Sequence, residues 1–159
     1  MRRIAVKIKV ENLMDVLLAE RGELSPEQIR SIEIDALVDT GATLLCLPSK
    51  TIADLGLSLL GTRTATTARG SIEQRVFRGA QLSIMRRTCT VDIMELQDGI
   101  PALVGYIPLE NLDLQPDVQN RTLVPSRGSG NKMVMDLFLI YASQFKWEIT
   151  TCPKLNSPL

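Results

Sequence analysis

Asp39 interrupts an apolar run. In the stretch ALVDTGATLLCLP, residues 36–48, Asp-Thr-Gly stands between Ala36-Leu37-Val38 and Leu44-Leu45-Cys46-Leu47. An ionised carboxylate is rarely buried unless it is paired or hydrogen-bonded. This one therefore marks a surface turn or is held in place for chemistry, and the chemistry open to it is acid–base work. One carboxylate alone is a poor catalyst, but two held close cannot both ionise. They share one proton, so one carboxyl serves as base while the other serves as acid. Gly41 would let the backbone approach such carboxylates and donate to them, and the Thr40 hydroxyl can brace the turn through backbone hydrogen bonds.

Composition narrows the alternatives. The chain has no histidine, which excludes Ser-His-Asp and Cys-His catalysis within it and removes histidine-ligated metal sites. Carboxylates, lysine, tyrosine and cysteine remain as acid–base groups. The three cysteines, Cys46, Cys89 and Cys152, are odd in number, widely spaced and without a CxxC. They fit a reducing compartment better than a disulfide framework or a zinc site, and a cytoplasmic location is expected. Eighteen basic residues balance eighteen acidic ones, so overall charge selects for neither nucleic acid nor an anionic membrane. No apolar run reaches the roughly 18 residues of a membrane span, and MRRIAVKIKV lacks a signal-peptide core. Neither cofactor nor metal is expected.

Short elements must position Asp39 in a chain of 159 residues, enough for one domain with its own core. Residues 4–10 alternate apolar with polar and read as a half-buried strand; residues 12–21 read as a short helix closed by Gly22. Ser25-Pro26-Glu27-Gln28 carries a helix-start signature. Ile32, Ile34, Ala36 and Val38 alternate with Ser31, Glu33 and Asp35 in a second strand, which delivers Asp39. Residues 48–55 predict a short helix with Ile52 and Leu55 inward and Gly56 past its end. Residues 62–94 predict two or three hairpins, 101–105 a compact strand, 108–114 a short helix and 121–125 a last strand. Many short strands in one small domain point to a closed, mostly β architecture.

Charge is uneven along the chain. Six arginines (63, 69, 75, 78, 86, 87) face the single Glu73 between residues 55 and 90, while residues 91–120 carry six acids and no base. A solvated hairpin face complemented by an acidic neighbour accounts for this, and so does an arginine-lined groove for acidic peptides. Residues 126–132 are a linker by composition. The stretch MVMDLFLIYA, 133–142, is too short to span a bilayer.

Taken in order, ALVDTGATLLCLP, the helix-like PSKTIADLGL, a glycine-bearing hairpin around Thr67-Ala68-Arg69-Gly70, and PALVGYIPLENLDLQPD followed by RTLVP form a more specific set than the tripeptide. The chain resembles the retropepsin-like aspartic peptidases over most of residues 1–125, including short single-domain members found in bacteria. The resemblance implies a closed β-barrel of the acid-protease fold, one domain per chain at residues 1–125; residues 126–159 lie beyond it, and the linker composition before Met133 points to an appendage of unknown role, separable from the chemistry. It implies that Asp39 is the catalytic aspartate, that Thr40 and Gly41 lock and support its loop, and that Leu103-Val104-Gly105 packs behind that loop. It implies that Ala68, Arg69 and Gly70 form the tip of a substrate-covering flap, where many relatives carry Ala-Asp-Gly. No second Asp-Thr-Gly or Asp-Ser-Gly occurs, so a pair of aspartates needs a homodimer. Its interface is expected at the strands of residues 4–10 and 121–124. The expected activity is aspartic endopeptidase hydrolysis of peptide or protein substrates. A catalytically silent dimer that binds such segments in its groove, or an unrelated barrel with an incidental turn, would carry the same tripeptide.

Overall fold

The computed structural model describes residues 3–128 and 132–134, so most of the apolar stretch 133–142 lies outside the described residues. Strand β1 (Ala5–Asn12) alternates as its sequence does, with Ile8 and Val10 buried and Lys7 exposed. Asn12, itself buried, ends that strand and caps helix α1 (Leu13–Glu20): its Oδ1 accepts from the Asp15 N–H at 3.2 Å. Its Nδ2 donates to the carbonyls of Leu55 at 2.9 Å and Gly56 at 3.2 Å, joining α1 to the end of a later helix.

Next come β2 (Ser31–Val38), β3 (Leu45–Pro48), α2 (Ser49–Leu55), β4 (Ser58–Thr67), β5 (Gly70–Ile84), β6 (Arg87–Leu96), β7 (Ala102–Val104) and α3 (Tyr106–Asn111). A separate hairpin of β8 (Leu114–Asp117) and β9 (Thr122–Pro125) follows. Six strands close on themselves in the order β1-β2-β7-β3-β6-β5, with β5 returning to β1, and β4 hangs outside the ring on β5. Closure removes the open edges that a flat sheet of this size would expose. The chain is thus mostly β with a closed barrel and short helices. The core inside the ring includes Ile8, Val10, Leu45, Leu47, Leu82, Ile84, Ile93 and Val104, with Ile52 and Leu55 of α2 and Leu109 of α3 packed on it. Among the described residues, no helix is long and apolar enough to cross a membrane.

Two local expectations are corrected. Ser25-Pro26-Glu27-Gln28 forms its capping box, but only a single 3₁₀ turn, Pro26–Gln28, follows, because Ile29 is already extended and β2 begins at Ser31. The helix expected at 108–114 starts at Tyr106 and stops at Asn111. Pro108 sits in the first turn, where its missing N–H costs no intrahelical bond, and Asp113 leaves the helix at φ +52°. Strand β1 pairs with β2 over residues 5–11 and with β5 over residues 9–12, so among the described residues 5–8 pair on the β2 side alone. Among the described residues, strand β9 pairs with β8 alone.

The segment read as linker is tied to the barrel. The Ser126 N–H donates to the Asp113 carbonyl at 2.9 Å, and the Gly128 and Val134 N–H groups donate to the Asp113 carboxylate at 3.0 and 3.1 Å. Glycine and serine composition signals freedom in the unfolded chain, but it also leaves backbone donors uncovered for such contacts.

Helix α1 is moored by charge. The Asp15 carboxylate accepts from Arg30 Nε at 2.7 Å and Nη2 at 2.8 Å, and from the Arg30 backbone N–H at 3.1 Å. The Arg30 side-chain hydrogen bond, outweighing burial, holds the Asp15 carboxyl below its ordinary value. A folded-state pKa below the unfolded one adds stability that is complete above about pH 4 and disappears as pH falls through the folded value. Asp15→Asn is therefore expected to lower the urea midpoint at pH 7, with the gap from wild type closing between pH 4 and pH 2. A gap independent of pH would show that the ion pair contributes nothing.

Candidate active site

The Asp39 loop is built from behind. Strand β7 inserts beside β2 in parallel, pairing Ala36 with Ala102, Leu37 with Leu103 and Val38 with Val104, so that Asp39 N–H reaches the Val104 carbonyl at 3.0 Å. The chain then turns, with the Ala42 N–H on the Asp39 carbonyl at 3.0 Å and the Gly41 N–H on Asp39 Oδ1 at 2.9 Å. Three consecutive carbonyls on the far side of the turn are occupied from one segment. Tyr106 N–H donates to Ala42 at 2.9 Å, Ile107 N–H to Thr43 at 3.2 Å and Gly105 N–H to Leu44 at 3.1 Å. The loop's backbone is pinned while Asp39 itself stays exposed.

Two glycines make this approach possible. A Cβ on Gly105 would lie 2.5 Å from the Leu44 oxygen and 2.6 Å from the Ala42 oxygen, closer than atoms tolerate. A Cβ on Gly41 would lie 3.1 Å from Asp39 Oδ1 and crowd the carboxylate that its own N–H orients. Beyond the packing expected of Leu103-Val104-Gly105, its glycine is a steric requirement of the loop. Thr40 is exposed, and among the described residues its hydroxyl has no hydrogen-bond partner. Backbone groups brace the turn within the chain in its place.

The two described cysteines are weak nucleophiles. Burial, then the negative charge of Asp39, pushes the Cys46 thiol up to about 11, and burial pushes Cys89 to about 11. Thiolate is scarce at neutral pH at both positions. Among the described residues no cluster of acids and cysteines is placed to hold a metal ion.

The expected hairpin forms from β4 and β5, paired from Ser58 with Arg78 to Thr67 with Gly70. Its turn is fixed by Thr67 Oγ1, which donates to the Gly70 carbonyl at 2.8 Å and accepts from the Arg69 N–H at 3.2 Å, and by Gly70 at φ +121°. Ala68, Arg69 and Gly70 lie exposed at the tip, and among the described residues no hydrogen bond or ion pair joins them to the Asp39 loop. The charge imbalance is partly settled within the fold. Arg75 pairs with Glu95 (Nε to Oε2, 2.7 Å) and lies over the Phe77 ring at 5.6 Å, while Arg87 pairs with Asp113. Arg63, Arg69, Arg78 and Arg86 make no ion pair among the described residues. The pairing of Arg87 with Asp113 was invisible in sequence, where both counted only as charges 26 positions apart.

The exposed Asp-Thr-Gly at the end of a barrel strand and its glycine-dependent support both fall in one stretch, residues 39–105. Residues 26–106 match the aspartyl protease family model, and the chain belongs to that family, of the retropepsin-like kind. No curated protein matches this chain.

Gly105→Ala should displace the loop or strain it, at a cost of about 1–3 kcal/mol of stability. We expect a lower urea midpoint together with faster amide exchange at Gly41 and Ala42. Wild-type values for both would show that the close approach is not needed.

Proposed function

We propose that the chain is an aspartic endopeptidase that works as a homodimer, with an Asp39 carboxylate from each subunit activating one water. The observation that carries this reading is the pinned, exposed Asp39 loop, rigid in its backbone yet supplying a single carboxylate per chain. A water between two such carboxyls would lose a proton to the ionised one while the protonated one donates to the peptide carbonyl oxygen. The resulting tetrahedral species collapses with proton return to the leaving amine, and the dyad regains its single proton. Thr40, exposed beside Asp39 and unpartnered among the described residues, is available to hydrogen-bond across the two-fold axis. The β9 edge that is unpaired among the described residues, with the part of β1 before Lys9, offers strands for contact between copies. The exposed β4–β5 hairpin, with Ala68, Arg69 and Gly70 at its tip, would cover the substrate.

Asp39→Asn keeps the volume of the side chain and the acceptor for Gly41 N–H, so fold and dimer should persist. Turnover of a peptide library should fall by several orders of magnitude, because an amide neither deprotonates water nor exchanges the shared proton. Wild-type turnover in Asp39→Asn would refute the enzyme reading. An inert wild type that still binds peptides, with Asp39→Asn binding equally well, would favour a silent binding dimer.

Specific activity should fall on dilution below the dimer dissociation constant, and its pH profile should be bell-shaped, since the pair works with one proton and not with none or two. Sedimentation and turnover measured across the same concentration range test this. A fully active monomer would sink it.

A further inference from the structure

Away from the Asp39 loop, the described chain buries one arginine and two aspartates, and only Arg87 and Asp113 pair with both partners buried, each 2% exposed. Asp113 lies between the buried Leu112 and Leu114 in the left-handed region, where aspartate is better tolerated than bulkier residues. Its Oδ2 accepts from the Gly128 N–H at 3.0 Å, the Val134 N–H at 3.1 Å and Arg87 Nη1 at 3.3 Å, and its Oδ1 faces Arg127 Nε at 3.6 Å. The Gly128 hydrogen bond leads in holding this carboxyl below its ordinary value despite burial. Arg87, the first residue of β6, reaches across with Nη1 to the Leu112 and Asp113 carbonyls at 2.8 Å each and with Nη2 to the Lys132 carbonyl at 2.9 Å.

Those carbonyls close the end of α3. The other end of the same six-residue helix is Tyr106 and Ile107, whose N–H groups hold Ala42 and Thr43 of the Asp39 loop. One short rigid element therefore joins a buried charged knot to the site. The knot is completed by residues 126–128 and 132–134, beyond the stretch that matches the family.

We infer that Arg87 and Asp113, joined by residues 126–128 and 132–134, are positioning residues for Asp39: they fix where α3 ends, and α3 fixes the loop. As far as catalysis is concerned, this rests on the peptidase reading of Asp39. Ending the domain at Pro125 would leave the Asp113 carboxylate without its two backbone donors from Gly128 and Val134. The segment is on this account part of the working domain and not a separable appendage.

The test perturbs the segment and leaves the barrel untouched. In Gly128→Ala the new Cβ runs into the Lys132 carbonyl and crowds Asp113 Oδ2 at 3.0 Å. Amide exchange is read on the full chain without substrate. The expected result is exchange about tenfold faster at Gly105, Tyr106 and Ile107, with Leu82 and Ile93 in the barrel unchanged. In turnover, kcat should fall about tenfold or more with KM within about twofold, since misplacement and not lost binding is the defect. Faster exchange at Gly128 and Val134 with Gly105–Ile107 unchanged would overturn the inference, as would an unchanged kcat. Should Gly128→Ala unfold the barrel, Val134→Pro, which deletes one donor to Asp113, is read by the same criteria. The exchange arm stands without activity: an inert wild type defeats the peptidase reading alone, and unchanged exchange at 105–107 defeats the positioning role alone.

Discussion

Everything at the site depends on how closely residues 105–107 approach residues 42–44. Three successive carbonyls of the loop are taken by three successive N–H groups, and the approach is possible because position 105 has no side chain. A loop with free carbonyls would sample many orientations of Asp39, which the proposed sharing of a proton with a second carboxylate would not tolerate. Here backbone groups hold the loop, so the Asp39 side chain remains exposed.

That approach in turn demands the barrel. The donors follow β7 directly, and β7 reaches the loop because it pairs in parallel with β2 and antiparallel with β3. A parallel neighbour cannot be made by a tight hairpin, so the chain between β2 and β7 has to leave and return. The barrel wall and the β4–β5 hairpin occupy that excursion. The strand that carries Asp39 and the hairpin proposed to cover it are thus consequences of the same crossover.

Charge works at the ends of helices. Arg30 with Asp15 moors α1, and Arg87 with Asp113 closes α3. Both pairs draw an arginine fork onto backbone groups or a carboxylate where a short helix leaves carbonyls or donors unsatisfied. The acidic stretch 91–120 and the basic stretch 55–90 meet in space through Arg75 with Glu95 and Arg87 with Asp113, which leaves the remaining hairpin arginines facing solvent.

The sequence by itself determined the parts that rest on local rules. Period-two alternation located β1 and β2, Ile52, Leu55 and Gly56 marked α2 and its end, and the Thr67–Gly70 turn marked the hairpin tip. The absence of histidine and the Asp-Thr-Gly after an apolar strand pointed to carboxylate chemistry, since residue type alone decides which groups can exchange a proton. What only the tertiary structure decided depends on partners distant in sequence. The 3₁₀ turn at Pro26–Gln28 lost its helix to the β-pairing of Ser31 onward, and α3 began early because the Asp39 loop takes its first N–H groups. That the end of β1, residues 9–12, is closed by β5 depended on residues some 70 positions away. Arg87 and Asp113 looked like two more surface charges until burial and the donors of Gly128 and Val134 made them a knot, because desolvation is a property of the packed neighbourhood and is written in no single residue.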